Sequence, residues 1–355
     1  MDKNTPNPRR ICASFTGVAA ILLMSLSSTV FGSVDDDLRF ETSSFMKATL
    51  YRRPDHLAAD IAPDGAEGRV NIEWDRSHTR KWFIEEQRHG SDAIVGGIAK
   101  EDPSAIERGL KILRWGFQQQ QPDGSFACPD TFHSTSFFVE ASAHACLLLS
   151  ASPFAARYAK DVNWIEPRLL KAALWMTEPS VETEGRRSNA PYTHRRYLVA
   201  AALGETGILT NNRFLVDHSA VYIQEGTSLQ DPSGFNPEKG GYDCSYHAVG
   251  LIYAERYYDL VADGALKNQL FGMLKKGAAW LASRVQSDGT IDPNGNTRTG
   301  LGQESGRSGT LKTINYGSAY CSLYRWSQIS GDAAFARLAE TVFSGEAIYK
   351  RQIGK

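Results

Sequence analysis

Apolar residues recur along most of this chain with the period of an α-helix, and almost nowhere with that of a strand. From Pro103 onward, Ile106, Leu110, Leu113 and Phe117 fall three or four residues apart, which puts them on one helix face. Pro103 stands where a first helical turn tolerates proline. The run QQQQPDGSF, Gln118 to Phe126, then stops the helix in a turn, and Gln286-Ser287-Asp288-Gly289-Thr290 repeats that punctuation. Further helices are predicted over 133–150 and over 154–176, the latter interrupted by Pro167, followed by a polar turn from Glu182 to Ser188. The same periodicity predicts helices at 192–209, 212–228, 243–262, 265–286, 309–329 and 332–348. Before them, residues 34–55 read as a weakly helical arm and 56–78 as a long loop. Helical periodicity runs from Thr79 to Gln87 and breaks at Arg88-His89-Gly90-Ser91-Asp92. Residues 287–308, rich in Gly, Asn, Thr and Ser, read as a rim or lid segment.

About eleven helices with short connections and no convincing strand predict an all-α fold. The arrangement that suits them is an incomplete α/α toroid, a ring of helical hairpins occupying residues 33–355 as a single domain. Ala200, Ala201, Ala202 and Gly204 suit close packing of an inner helix. Rim loops on such a ring line a long groove, a shape suited to a polymer.

The first 32 residues carry a separate signal. Arg9 and Arg10 precede an apolar run from Val18 to Met24, then a Ser/Thr patch and Val30-Phe31-Gly32, the composition of a secretory signal peptide cleaved before Ser33. The apolar run is too short to span ~30 Å of hydrocarbon, so the mature chain is expected to be periplasmic or secreted, with no stable membrane insertion. Cleavage takes Lys3, Arg9, Arg10 and Asp2 from 39 basic and 40 acidic residues, leaving a net charge near −3. That balance gives no electrostatic footprint for nucleic acid. The four cysteines that remain, Cys128, Cys146, Cys244 and Cys321, match no zinc spacing. Three of them fall in apolar helical patterns, as packed thiols do. No metal-ligand cluster is legible, and no metal or other cofactor is expected.

Candidate chemistry concentrates between Asn189 and Tyr258. One helix carries His194, Arg195 and Arg196, a Gly/Pro-rich loop runs from Asp231 to Gly241, and the next helix opens with Tyr242-Asp243-Cys244-Ser245-Tyr246-His247. Elimination across a glycosidic bond to a uronic acid needs a base for the C5 proton, neutralisation of the carboxylate and a proton for the leaving O4. An imidazole serves as base near neutral pH, a phenol as acid, and cations or amides stabilise the enolate-like intermediate.

The order of motifs resembles the alginate lyase family of mannuronate-cleaving α/α-toroid enzymes over roughly residues 88–340. Arg88 precedes Gly90-Ser91-Asp92, His133-Ser134 opens a helix, and Thr193-His194 precedes Tyr197. Asp231-Pro232-Ser233-Gly234-Phe235-Asn236-Pro237, Tyr246-His247 and Tyr320-Cys321-Ser322-Leu323-Tyr324 follow in order. The resemblance implies His194 and Tyr246 as catalytic residues and an anionic polysaccharide as substrate. Arg88, His133, Asn189, Arg195, Lys239, His247 and Asn315 are the substrate-binding candidates. Thr193 stands where the family has Asn, for which Asn189 and Asn315 are substitutes. Gly240-Gly241 replaces a basic run, leaving Lys239 as the nearest cation, so a glucuronan-like polymer is as open as a polymannuronate. The mode of attack, internal or terminal, stays open, and a monomer is expected. Two other readings compete: a glycoside hydrolase using Glu238 and Asp243, or Asp123 and Asp130, and a non-catalytic exopolysaccharide-binding or export factor.

Overall fold

The computed structural model describes residues 33–52, 61–67, 84–306 and 310–354. The leader read over residues 1–32, and the helical start near Thr79, lie outside the described residues. Among the described residues there are thirteen α-helices, and the only β-pairing is in isolated bridges. The all-α expectation is therefore met. Two short helices, α1 (Val34–Glu41) and α2 (Ser44–Ala48), form the N-terminal arm. Five hairpins follow: α3 (His89–Lys100) with α4 (Pro103–Gln118), and α5 (Thr131–Ala151) with α6 (Ala155–Met176). After the linking α7 (Pro179–Asn189) come α8 (Thr193–Leu209) with α9 (Arg213–Ser228), α10 (Cys244–Leu260) with α11 (Gly264–Ser283), and α12 (Tyr316–Ser330) with α13 (Ala333–Gln352).

The first helix of each hairpin is an inner helix. α3, α5, α8, α10 and α12 pack side by side in that order, and each is backed by its own hairpin partner. The inner helices are buried nearly all round, as on α8, where thirteen of seventeen residues are buried. Small residues allow this packing: a Cβ added at Gly204 would lie 2.9 Å from the Tyr257 ring on α10. α1 packs against α3, α5 and α10, so it fills space that the inner helices enclose.

A repeated turn sets the hairpins in register. The two copies read from the sequence are joined by two more, at Ala62–Ala66 and Asp231–Phe235. In all four an N–H of the first residue donates to the carbonyl four residues on, at 2.7–2.9 Å. The turn after α4 holds Gly124 at φ +105°, and the turn after α9 holds Gly234 at φ +109°. A Cβ there would sit 2.6 Å from the Lys171 carbonyl on α6, or 2.5 Å from the Lys276 carbonyl on α11. Each turn thus leaves one outer helix and docks on the next, at a distance only glycine permits.

The structure corrects four sequence expectations. Gly90-Ser91-Asp92 lies inside α3 and is no break. Its glycine serves a close helix crossing, since a Cβ on Gly109 would lie 2.4 Å from the Gly90 carbonyl. Residues 182–188 are helical, in α7. Pro179 stands in its first turn, Glu182 is acidic there, and Arg186 and Arg187 are basic in the last turn, which complements the helix dipole. α6 runs through Pro167, held by buried Ile165 and Leu169 on either side. α12 starts at Tyr316 rather than 309, because Asn315 caps it by accepting the Ser318 N–H at 3.0 Å.

Where α1, α5, α8, α10 and α12 meet, the core is ionic. Asp37, Glu41, Glu140, Glu205, Glu255 and Asp259 are all buried there, beside His144, Arg256 and Arg325. Arg325 bonds Asp37 at 2.5 Å, Glu41 at 3.1 Å and Asp259 at 3.1 Å, while His144 Nε2 lies 2.7 Å from Asp37. Burial disfavours ionising so many carboxyls at once. Burial pushes Glu205 and Glu255 well above the ordinary carboxyl range and Asp259 up to about 7, and it is overcome at Asp37 by Arg325 and His144, which hold that group low. Asp37, Glu41 and His144 have the spacing of a metal-ligand set, but the Arg325 guanidinium already sits on both carboxylates.

No helix among the described residues is long and apolar enough to cross a membrane. Cys128, Cys146, Cys244 and Cys321 are free thiols, the last three buried, as expected of packed core cysteines.

Candidate active site

A cleft of about 640 Å³ opens at the N-terminal ends of α5, α8 and α10. His194 is the second residue of α8. Its position is set from both sides: Thr193 Oγ1 donates to the Pro237 carbonyl at 2.7 Å, and Glu238 accepts both the His194 backbone N–H at 3.1 Å and Nδ1 at 2.7 Å. Glu238 is fully buried and also accepts from Arg298 Nη1 at 3.3 Å. Burial raises its pKa, but the hydrogen bonds that His194 donates and the charge of the Arg298 guanidinium outweigh this and hold it below the ordinary carboxylate range. An ionised carboxylate can only accept, so the Nδ1 position carries the imidazole proton and Nε2 is left basic. No described residue bonds Nε2. Burial lowers the His194 pKa against the opposing pull of Glu238, so the ring is neutral, a base, at neutral pH.

Tyr246 lies in the first turn of α10, which Asp243 caps by accepting the Ser245 and Tyr246 N–H groups at 3.1 and 3.0 Å. Its ring centroid is 4.8 Å from that of His194. The two helix starts therefore place imidazole and phenol on one wall of one cleft. Above the phenol stands the Arg298 guanidinium, 3.5 Å from the ring centroid, with the Lys312 amine at 5.5 Å.

Arg298 is the residue that sequence reasoning missed. It belongs to the Gly/Asn-rich segment read only as a rim, fifty-two residues beyond Tyr246. Its place is fixed by Asp243, whose second oxygen accepts the Arg298 and Thr299 N–H groups at 3.0 and 2.8 Å. Asn296 accepts the Cys244 N–H at 3.0 Å and completes the docking. The cap of α10 thus also holds the rim. Nothing in the local pattern of residues 296–299 announces this, because the partner carboxylate is remote in sequence.

The other candidates divide. Arg88, His133, Arg195 and Asn315 line the cleft. Arg88 lies over Phe137, its Cζ 4.6 Å from the ring centroid, and Arg195 lies over Tyr192 at 4.3 Å. Asn189 does not line it. Asn189 is buried at the end of α7, where its side-chain oxygen accepts from Arg195 at 2.9 Å, so it orients a cleft residue instead. Lys239 is turned to Glu304, which also binds Lys312 and Arg298, the last at 3.0 Å. It ties the rim rather than facing the cleft. His247 is wholly buried. Its Nδ1 accepts the Asn236 N–H at 3.0 Å and its Nε2 donates to the Gly277 carbonyl at 3.0 Å, with burial lowering its pKa to about 4. One residue along a helix is a ~100° rotation, so His247 faces α11 while Tyr246 faces the cleft.

The carboxylate pairs considered for hydrolysis are committed elsewhere. Glu238 and Asp243 are buried and spent on the bonds above, and Asp123 closes its turn by accepting the Ser125 N–H at 2.9 Å. Asp130 lies 3.9 Å from Arg195. At the rim, Glu67, Glu86 and His89 come within metal-ligand spacing, a cluster the sequence did not suggest.

No protein-family model and no curated protein matches the chain.

Proposed function

We propose that this protein is a polysaccharide lyase that cleaves a uronic-acid polymer by β-elimination, on an exported, periplasmic or secreted chain. His194 Nε2 takes the C5 proton. The electron pair forms the C4–C5 double bond, the C4–O4 bond breaks, and the Tyr246 hydroxyl gives its proton to O4. Arg298, Arg195 and Lys312 neutralise the uronate carboxylate while negative charge develops on it. The observation that carries this reading is the contact of a neutral imidazole, its Nδ1 locked by Glu238, with a phenol under a guanidinium in one open cleft.

The test is incubation with glucuronan, polymannuronate and mixed alginate, following absorbance of the new double bond in the ultraviolet. His194→Ala and Tyr246→Phe should each lose ~10²–10⁴ of the rate, the worth of one positioned acid or base. Reducing ends without ultraviolet absorbance would point to hydrolysis. Binding with no product would point to a carrier.

A further inference from the structure

The cleft does not stop at the His194–Tyr246 pair. A second cavity of about 220 Å³ adjoins it, sharing Arg88, Val249, Tyr253, Asn315 and Ser318 as common wall. α10 connects the two: Tyr246, Val249 and Tyr253 follow one another along a face of that helix, and Tyr253 lies roughly 10 Å beyond Tyr246 at ~1.5 Å per residue. The far wall comes from the N-terminal arm and the ionic core. Phe40, Glu41 and Met46 of the arm meet Glu140, Cys321 and Arg325 there, and each of these six is at most 5% exposed. Among the described residues, then, buried side chains wall the inner cavity off on the side of the arm and the ionic core.

Its chemistry suits a sugar ring. Phe40, Met46, Val249 and Tyr253 offer apolar and aromatic surface, while Ser91, Asp92, Arg88 and Arg256 offer planar or hydroxyl hydrogen-bonding groups. Arg256 is gripped by Glu140 at 2.6 Å on one side, yet its Nε has no partner among the described residues. Arg88, Arg256 and Arg325 balance Glu41, Asp92 and Glu140 in formal charge, so the chamber as a whole repels neither a neutral nor an anionic sugar. That side of the chamber stands on α1, and α1 is held by the Asp37 and Glu41 ion pairs to Arg325, which makes the arm a fixed wall.

We infer that the inner chamber is a terminal subsite that receives the end residue of the polysaccharide, so that this enzyme cuts from a chain end and releases a short product of fixed length. The inference rests on the elimination reading above and adds its mode. A groove open at both ends would admit the interior of a polymer, whereas a wall beyond the reacting pair stops the chain after a residue or two.

The deciding experiment sizes the products from glucuronan and polymannuronate by mass spectrometry at low conversion while viscosity is followed. One short product from the outset is expected, with viscosity nearly unchanged: unsaturated if cut from the reducing end, and saturated at the first cut, with the double bond on the remaining polymer, if cut from the non-reducing end. A ladder of unsaturated oligomers with rapid loss of viscosity overturns the terminal subsite and leaves the lyase standing. Ala141 and Ser91 line only the inner chamber, so Ala141→Met and, independently, Ser91→Leu fill it without touching the reacting pair. Each, if it melts near the wild-type temperature, should lose roughly 10–200-fold in kcat/KM, and unchanged kcat/KM in a folded variant overturns the proposal. If no polymer yields an unsaturated product, the elimination reading falls, and calorimetry with a glucuronic acid disaccharide decides the chamber separately. Binding that the filled variants abolish supports a sugar subsite, and binding that they leave unchanged, or none to the wild type, overturns it.

Discussion

Replacing Glu238 by Gln tests the base assignment more sharply than removing His194. The carboxylate accepts two N–H groups of His194 on one oxygen, at 2.7 and 3.1 Å, and the Arg298 guanidinium on the other at 3.3 Å. A glutamine has one acceptor oxygen for these two demands. Two short bonds outweigh one long one, so the amide oxygen stays with His194 and the NH₂ turns toward Arg298, donor against donor. The Nδ1–H tautomer survives, but the negative charge that steadies the imidazolium is gone, and among the described carboxylates Arg298 keeps Glu304. Breaking one partner of a buried ionic set costs about 3–5 kcal/mol of stability. In turnover, loss of charge support behind the base should amount to ~10²–10³, or about 2.7–4 kcal/mol of barrier. The pH profile carries the diagnostic sign. Glu238 raises the His194 pKa against the larger lowering by burial, so without it the acid limb of kcat/KM should move to lower pH still. The wild-type limb should itself lie below 6.5, the ordinary imidazole value. The assay is ultraviolet absorbance across pH 4–9 on protein shown folded by circular dichroism. A folded variant with wild-type turnover, or with its acid limb moved upward, would refute the reasoning.

Other outcomes follow from single contacts. His247→Ala should leave kcat unchanged while lowering stability by about 1–3 kcal/mol for each orphaned group, read by denaturant titration; loss of kcat in a folded variant would return His247 to the site. Gly234→Ala should lower the melting temperature, because a backbone conformation reserved for glycine costs ~1–3 kcal/mol and the new Cβ would meet the Lys276 carbonyl at 2.5 Å. Glu205 has no hydrogen-bond partner among the described residues, and its pKa is raised well above the ordinary value by burial. A carboxyl with a raised folded pKa stabilises most below its unfolded pKa and loses that contribution as pH climbs toward the folded one. Glu205→Gln should therefore match the wild type near pH 4 and gain on it as pH rises above the unfolded carboxyl value toward the folded one, and a difference independent of pH would contradict the raised pKa of Glu205. Arg298→Lys keeps a charge but loses the planar fork. It should fold and lose ~10²-fold in turnover, and an undiminished rate would remove Arg298 from carboxylate recognition.

The helix period and its stops are local properties, so the sequence alone determined the all-α class and most helix boundaries. It also offered His194 and Tyr246 as candidates, through the order of motifs in which its resemblance to a lyase family consists. Local pattern erred where a glycine or proline had a tertiary use: Gly90 serves a helix crossing rather than a break, and Pro167 is carried within a helix held by buried neighbours. It erred again at Lys239 and His247, whose proximity in sequence to Tyr246 says nothing of which way a side chain points. Only the folded chain decided that Arg298 stands over the phenol, that Asn189 serves Arg195, and that an N-terminal arm closes the space behind the cleft. The reason is physical. Periodicity records which face of a helix is dry, whereas a site is made where helix ends from distant parts of the chain converge, and the charges that meet there are chosen by packing that no short stretch of sequence contains.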